Sequence, residues 1–310
     1  MFIGIDVSKS KLDVYSNEFK IFANTDDGIK DLSKYLESLN PELIGFEATG
    51  GLELKMLYFL AEKGFKLSSI NPKQVRDFAK ASGKLAKTDK IDAKVIAKFV
   101  EVFNPPLVNI PDGETIELNG FVVRRKQLID ILVSEKNRYS SCSSKASKQS
   151  LRKHIKWLEK EINSLEDNIN NLLKKSPEWK EKEDILKSVP GVGNVLTFNL
   201  LSGLTELGKL NSRQISALVG LAPMNKDSGK FRGKRFTQGG RIDVRTSLYM
   251  PTLSAIRNNS VIKAFYDKLI KAGKPPKVAI TACMHKLLII LNAMVKKSTK
   301  WNEKYTNISI

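Results

Sequence analysis

Histidine and cysteine are nearly missing from this chain: His154, His285, Cys142 and Cys283 are all there is in 310 residues. Two cysteines so far apart make no disulfide framework and no zinc spacing. Two distant histidines argue against a histidine-based hydrolase. Any metal chemistry is therefore left to oxygen ligands and a hard cation. Acid is scarce as well, with 33 Asp and Glu against 52 Lys and Arg, a formal net charge of +19. Such a balance predicts a polyanionic partner, although a membrane surface would attract it too. The N-terminal MFIGIDVSKSK is too short and too charged for a signal peptide, and no apolar run approaches 18 residues. The reading is a soluble, intracellular protein with no membrane partner. Its length is enough for two domains and a sizeable core.

What is present falls into two halves. The first hundred residues alternate strand and helix patterns. FIGIDVS (Phe2–Ser8), KLDVYS (Lys11–Ser16) and EFKIFA (Glu18–Ala23) read as strands around tight polar turns. An amphipathic helix from Asn24–Asp27 to Leu39 is stopped by Asn40-Pro41. ELIGFE (Glu42–Glu47) and KLSSI (Lys66–Ile70) are further strands, with helices over Leu54–Lys63 and from Pro72. That order predicts an α/β domain with a mixed sheet. From about Glu114 the strand signals vanish. Leu118 to Arg138 is helical. Leu151, Ile155, Leu158, Ile162, Leu165, Ile169 and Leu172 then form a strict heptad seam. A seam so narrow needs one partner helix, either 118–138 of the same chain or another protomer. Ser176-Pro177 ends it, and a largely helical domain follows.

The stretch KTDKIDAKVIAKF (Lys87–Phe99) sets Asp89 and Asp92 among four lysines. The plain reading is a capping box, Asp89 as N-cap and Asp92 at N3. Other acids point elsewhere. Asp6 interrupts an apolar strand, where Asp is a poor fit. Glu47 ends a short strand just before Ala48-Thr49-Gly50-Gly51. Each alone reads as structural. In open α/β sheets, however, sites form at strand ends, and a following helix would present Asp89 and Asp92 on one face. Four converging carboxylates repel unless a cation neutralises them. Two Mg²⁺ ions about 3.5–4 Å apart would do so and would clamp a phosphoryl displacement. Lys87 and Lys90 would then face phosphates.

Two more signals lie in the second half. ILKSVPGVGNVLTFNLLSGL (Ile185–Leu204) has the helix-hairpin-helix pattern. Its Gly191 and Gly193 would let backbone amides approach a phosphate, although a tight turn between packed helices would look the same. LAPMNKDSGKFRGKRFTQGGRIDVR (Leu221–Arg245) holds Lys226, Lys230, Arg232, Lys234, Arg235, Arg241 and Arg245 against two acids, with four glycines. This composition describes a phosphate-gripping loop. Ser228 lies within it; a lone Ser-Gly is commonly a turn, and no histidine is near to activate the hydroxyl. Metal and cations acting on the phosphate would substitute.

MFIGIDVSK, FEATGG, NPKQVRDFAKASGKLAKTDKIDAKVIAKF, SVPGVG, GLAPMNKDSGKFRGKR and GGRIDVRTSLYM together resemble the DEDD-type insertion-sequence transposases, the bridge-RNA-guided serine recombinases. The resemblance covers nearly the whole chain. It implies a RuvC-like, RNase H-type domain over 1–104, with Asp6, Glu47, Asp89 and Asp92 holding Mg²⁺. It implies a helical coiled-coil linker over 105–182 and a transposase domain over 183–310 whose catalytic serine is Ser228. Its implied partners are donor and target DNA, a structured non-coding bridge RNA, and further copies of the chain in dimers to tetramers. In such assemblies the carboxylates of one chain meet the serine of another. Its implied setting is the prokaryotic cytoplasm, close to the nucleoid.

Two rival classes stay in view. A RuvC-like hydrolytic nuclease acting on branched or structured nucleic acid would use only the four carboxylates and leave Ser228 structural. A non-catalytic binder would use the hairpin and the basic loop. It has no use for four acids in that order.

Overall fold

The computed structural model describes residues 1–83, 89–225, 227–229, 231–233 and 235–302, without the side chain of Asp89. By its internal contacts the chain divides into two compact units, Met1–Ile110 and Pro111–Ile310. The helical segment from 111 onward groups with the second unit.

In the first unit β1 (Phe2–Val7), β2 (Lys11–Tyr15) and β3 (Phe19–Ala23) form an antiparallel meander. Helix α1 (Asp26–Leu39) starts where the Thr25 side chain accepts from the Gly28 N–H, and stops at Asn40 with φ 45°. Strand β4 (Leu43–Glu47), helix α2 (Leu54–Glu62), strand β5 (Leu67–Ile70) and helices α3 (Pro72–Ala81) and α4 (Asp89–Phe103) follow. The sheet order is β3-β2-β1-β4-β5, with β4 parallel to both β1 and β5. This is the mixed sheet that the alternating pattern predicts.

The pleat sends alternate residues to opposite faces. Ile3, Ile5, Val7, Leu12 and Val14 join Ile29, Leu32, Leu36, Met56, Leu57 and Leu60 in one core beneath α1 and α2. On the other face Leu43 and Ile70 pack with Val75 of α3 and Val95, Ile96, Phe99 and Val100 of α4. That second face carries few large side chains near its centre, because the facing pair Gly4 and Gly45 has none.

In the second unit α5 (Gly113–Ser141) and α6 (Lys145–Lys175) form a long helical hairpin. Leu128 of α5 is buried against Leu158 and Ile162 of α6, and Ile129, Leu132 and Leu165 pack at the edge. Ion pairs Arg125–Glu166 and Lys136–Glu159 flank this seam. Of the two partners open to the heptad helix, the segment within the chain is the one it packs on. Helices α7 (Pro177–Lys187), α8 (Asn194–Gly203), α9 (Ser212–Val219), α10 (Ile242–Ser247), α11 (Tyr249–Asn258), α12 (Ser260–Lys271) and α13 (Pro276–Lys296) complete the unit.

Helix α13 departs from the sequence expectation. It is long and apolar enough to cross a membrane by length and composition. Scattered polar residues, His285, Lys286 and Asn292 among them, hide this in the linear pattern. Its apolar surface is used inside the unit, where Cys283, Leu287, Leu288 and Leu291 are fully buried. Burial pushes the Cys283 thiol up to about 12, which makes it an inert packing group.

Candidate active site

Asp6 lies one residue before the end of β1, directly across from Asp13 of β2. Ile5 pairs with Phe46 in parallel register, so Asp6 and Glu47 are the next residues along β1 and β4. Both therefore share the face of Gly4 and Gly45, the face on which α4 lies. A Cβ on Gly4 would fall 2.1 Å from the Ala93 carbonyl oxygen and 2.4 Å from the Ala97 nitrogen. One on Gly45 would fall 2.2 Å from a Val100 methyl. The two glycines let the backbone of α4 rest on the sheet. Asp92 precedes Ala93 in the first turn of that helix. Glycine floor, strand ends and helix start thus put Asp6, Glu47 and Asp92 on one side of one sheet.

Helix α4 is described from Asp89 onward, and the capping-box reading of Asp89 and Asp92 rests on an end of the helix that lies outside the described residues. The Asp89 side chain lies outside the described atoms, as does the whole of Lys87. Among the described residues, no three His, Cys, Asp or Glu side chains are grouped as a metal site. The donor chemistry, carboxylate oxygen throughout, suits a hard divalent cation. Lys90 and Lys94 place their ammonium groups over the rings of Phe19 and Tyr15, 5.6 and 5.2 Å from the centroids.

Two acids here escape a sequence reading. Asp13 is 1% exposed and opposes Asp6 across the ladder, where like charges repel. Lys11, two residues along the same strand, brings its Nζ 3.0 Å from the Asp13 Oδ2 and offsets that charge. The contact is off-axis, so Oδ2 has charge compensation without a well-aligned hydrogen bond. Glu53 is also buried; it accepts from the Thr49 N–H, the Thr49 hydroxyl and the Gly51 N–H. It thereby ties down the turn that follows Glu47. The available signal was one acid each in KLDV and GGLE, which reads as an ordinary solvent-facing carboxylate until the strands are paired.

The second unit presents Ser228 at the tip of a hairpin. Ser228 N–H donates to the Phe231 carbonyl at 3.1 Å and Phe231 N–H returns the bond at 2.9 Å. Gly229, with φ 55°, enables that two-residue turn. Farther out Met224 pairs with Phe236 in an isolated antiparallel bridge. Asp227 steadies the tip by accepting from the Gly233 N–H at 3.1 Å and pairing with Arg232 at 3.3 Å. Ser228, Arg232 and Arg235 are exposed, and Lys226, Lys230 and Lys234 lie outside the described residues.

Arg241 and Arg245 are engaged inside the fold. Arg241 makes a two-pronged pair with Glu206, at 2.6 Å on each arm, and also donates to the Gly203 carbonyl at 2.9 Å. Arg245 donates to the carbonyls of Gly220 and Gly239 at 3.1 and 2.7 Å. Both anchor the base of the serine loop.

At the helix-hairpin-helix turn the two glycines differ. Gly191 has φ 99°, and a Cβ there would sit 2.6 Å from the backbone of Ala255 in α11. It is a close-packing glycine. Around Gly193, just ahead of α8, a Cβ would meet nothing within 4 Å, so that turn faces open space.

Comparison with known proteins finds two matches, the first running from the α/β unit into the helical one. Residues 3–143 match a DEDD transposase family model of the IS110 type, and residues 183–267 match the transposase IS116/IS110/IS902 family. Pilin gene-inverting proteins of Moraxella bovis and Moraxella lacunata are each 26% identical over 98% of both chains. A 42 kDa protein of insertion element IS900 from Mycobacterium paratuberculosis is 28% identical over 36% of this chain and 29% of its own. A carboxylate-bearing α/β unit joined to a helical unit with a basic loop is the build of a DNA transposase or recombinase, and this chain is one. It belongs to the IS110 family of transposases.

Proposed function

We propose that this transposase cuts and rejoins insertion-sequence DNA through a covalent link on Ser228, guided by a structured RNA. The observation that carries the serine reading is the tip geometry. Ser228 is held exposed by a two-residue turn, with Asp227 bonded behind it. A merely structural Ser-Gly turn has no need of so basic a frame. In the proposed step the Ser228 Oγ bonds to a DNA phosphorus, and one P–O bond to the deoxyribose breaks. The serine proton passes to solvent, and the leaving deoxyribose oxygen takes one up. The bond is conserved as a phosphoserine ester, and the reverse attack by a second strand's hydroxyl rejoins DNA. Arg232 and Arg235, with Lys226, Lys230 and Lys234, offset the charge of the pentavalent state.

Asp6, Glu47, Asp89 and Asp92 would hold Mg²⁺, which when bound polarises a phosphate and stabilises its developing charge. The chain's own part is to hold those donors on one rigid face through the Gly4–Gly45 floor. Gly193 and Lys90 contribute backbone grip without base readout. Assembly is as dimers to tetramers with donor and target DNA, in the prokaryotic cytoplasm.

The test is a denaturing gel of wild type, Ser228→Ala and Asp92→Asn with labelled DNA ends, the element's own non-coding RNA and Mg²⁺. Wild type should give a protein–DNA adduct. Ser228→Ala should give neither adduct nor cut, and Asp92→Asn should lose cutting while nucleic-acid binding persists. Cutting by Ser228→Ala at the wild-type rate would overturn the serine step and leave a hydrolytic nuclease.

A further inference from the structure

The outer face of α6 is unlike the solvated side of an ordinary helical hairpin. From 136 to 158 the chain holds Lys136, Arg138, Lys145, Lys148, Arg152, Lys153 and Lys156 and no acid at all. Of the acids bordering this run, Glu135, Glu159 and Glu166 are each paired with a cation, and Glu161 lies half-buried one turn on from Trp157. Glu135 is buried under Arg138 and His154, Glu159 pairs with Lys136, and Glu166 pairs with Arg125. Lys153, Lys156 and Lys160 are left on one stripe by their helical spacing. Among the described residues none of the three takes part in an ion pair, and all three are exposed; the acid three residues on from Lys156, Glu159, is paired with Lys136 instead. In their midst Trp157 is 50% exposed, with His154 stacked against it at a centroid distance of 6.0 Å.

A half-exposed indole is an expense with no return inside the fold, since it neither fills the seam nor reaches the core of the hairpin. The three lysines around this aromatic outnumber the carboxylates beside them, Glu159 and Glu161, and the first of these is already paired with Lys136. An indole face beside a row of ammonium groups is the pairing that recognises unstacked bases and their phosphates. Paired duplex bases have no free π-face to offer it. We infer that the α6 stripe Lys153, Lys156, Trp157 and Lys160 binds single-stranded nucleic acid, the base stacking on Trp157 and the lysines flanking its phosphates. The stripe from Lys153 to Lys160 runs about 10 Å along the helix, the reach of a few nucleotides. The surface is separate from the serine loop and stands whether or not the Ser228 chemistry is right.

The test uses the full chain without Mg²⁺, so that binding is read with no cutting. Anisotropy is measured with a labelled single-stranded RNA, the same sequence as single-stranded DNA, and the matching duplex, across a salt series. Trp157→Ala should weaken the single strands about tenfold and leave the duplex nearly unchanged. Trp157→Phe should restore most of the loss. Lys153→Ala, Lys156→Ala and Lys160→Ala together should lower the salt slope on single strands by about 2. Nucleic acid should quench the tryptophan emission of wild type far more than that of Trp157→Phe, because Trp179 is buried and Trp301 packs partly buried against the core. Circular dichroism should match wild type for every variant, since all four side chains point outward. Tighter binding of the RNA or of the DNA strand names which of them this face takes. Unchanged single-strand affinity in Trp157→Ala, or equal weakening of strand and duplex, overturns the inference.

Discussion

At the scale of single residues, the charged groups of this chain divide into those that shape loops and those left for a ligand. Arg241 is of the first kind. Burial raises its partner Glu206, but the hydrogen bonds and charge of Arg241 outweigh that, and the carboxyl sits below its ordinary 4.5. A carboxyl lowered in the folded state contributes stability above its unfolded value and loses it as pH falls through the folded one. Glu206→Gln should therefore cost about 1–2 kcal/mol at neutral pH, near the lower range because Arg241 is partly exposed. The gap to wild type should close as pH drops below about 4. Urea titrations at neutral pH and near pH 3.5 measure it, and a gap that ignores pH would deny the pair an ionic share. Asp13 is the same kind of residue on the other unit. Its buried carboxylate and Lys11 set the charge opposite Asp6 without adding a free ligand.

At the scale of elements, the decisive contact is α4 on the glycine floor. The acids of β1, β4 and α4 share a face only if that helix lies flat. Gly4→Ala would drive a methyl into the Ala93 carbonyl, and a backbone atom cannot swing away as a side-chain end can. We expect a loss of about 3 kcal/mol in stability and a fall in DNA cutting beyond what the remaining folded fraction explains. Thermal melts beside cleavage rates at a temperature where both proteins are folded separate the two effects. Rates equal to wild type would mean that α4 tolerates the lift and that the face needs no close fit. The α5–α6 hairpin shows another rule. The heptad seam states that a partner helix exists, and the choice of partner rests on the short turn between the two, Cys142–Ser144.

At the scale of the whole molecule, a net charge of +19 governs association. Each phosphate neutralised releases counterions, so the affinity for duplex DNA should fall about a thousandfold or more between 50 and 200 mM salt if six or more contacts form. Binding isotherms across that range give the slope. A slope near zero would mean that the excess cations serve solubility and not a polyanion.

Much of this protein is legible in its residues in order. The period-2 and heptad patterns, the Pro and Asn stops and the Ser-Gly turn are local, and the backbone obeys them locally. The four acids and the basic loop stand out because each is out of place in its own segment: Asp6 in an apolar strand, Ser228 in a run of cations. Pairing decided the rest. That Asp13 opposes Asp6, that Gly4 and Gly45 form a floor, and that Arg241 and Arg245 turn inward to Glu206 and to carbonyls depend on residues far apart in the chain. Register and packing are long-range contacts, and no window of sequence holds both partners. Which side chains of α6 meet α5 and which, like Trp157, face water was likewise settled by packing. Composition fixes which side chains exist, but only the folded chain decides which of them face each other and which face water.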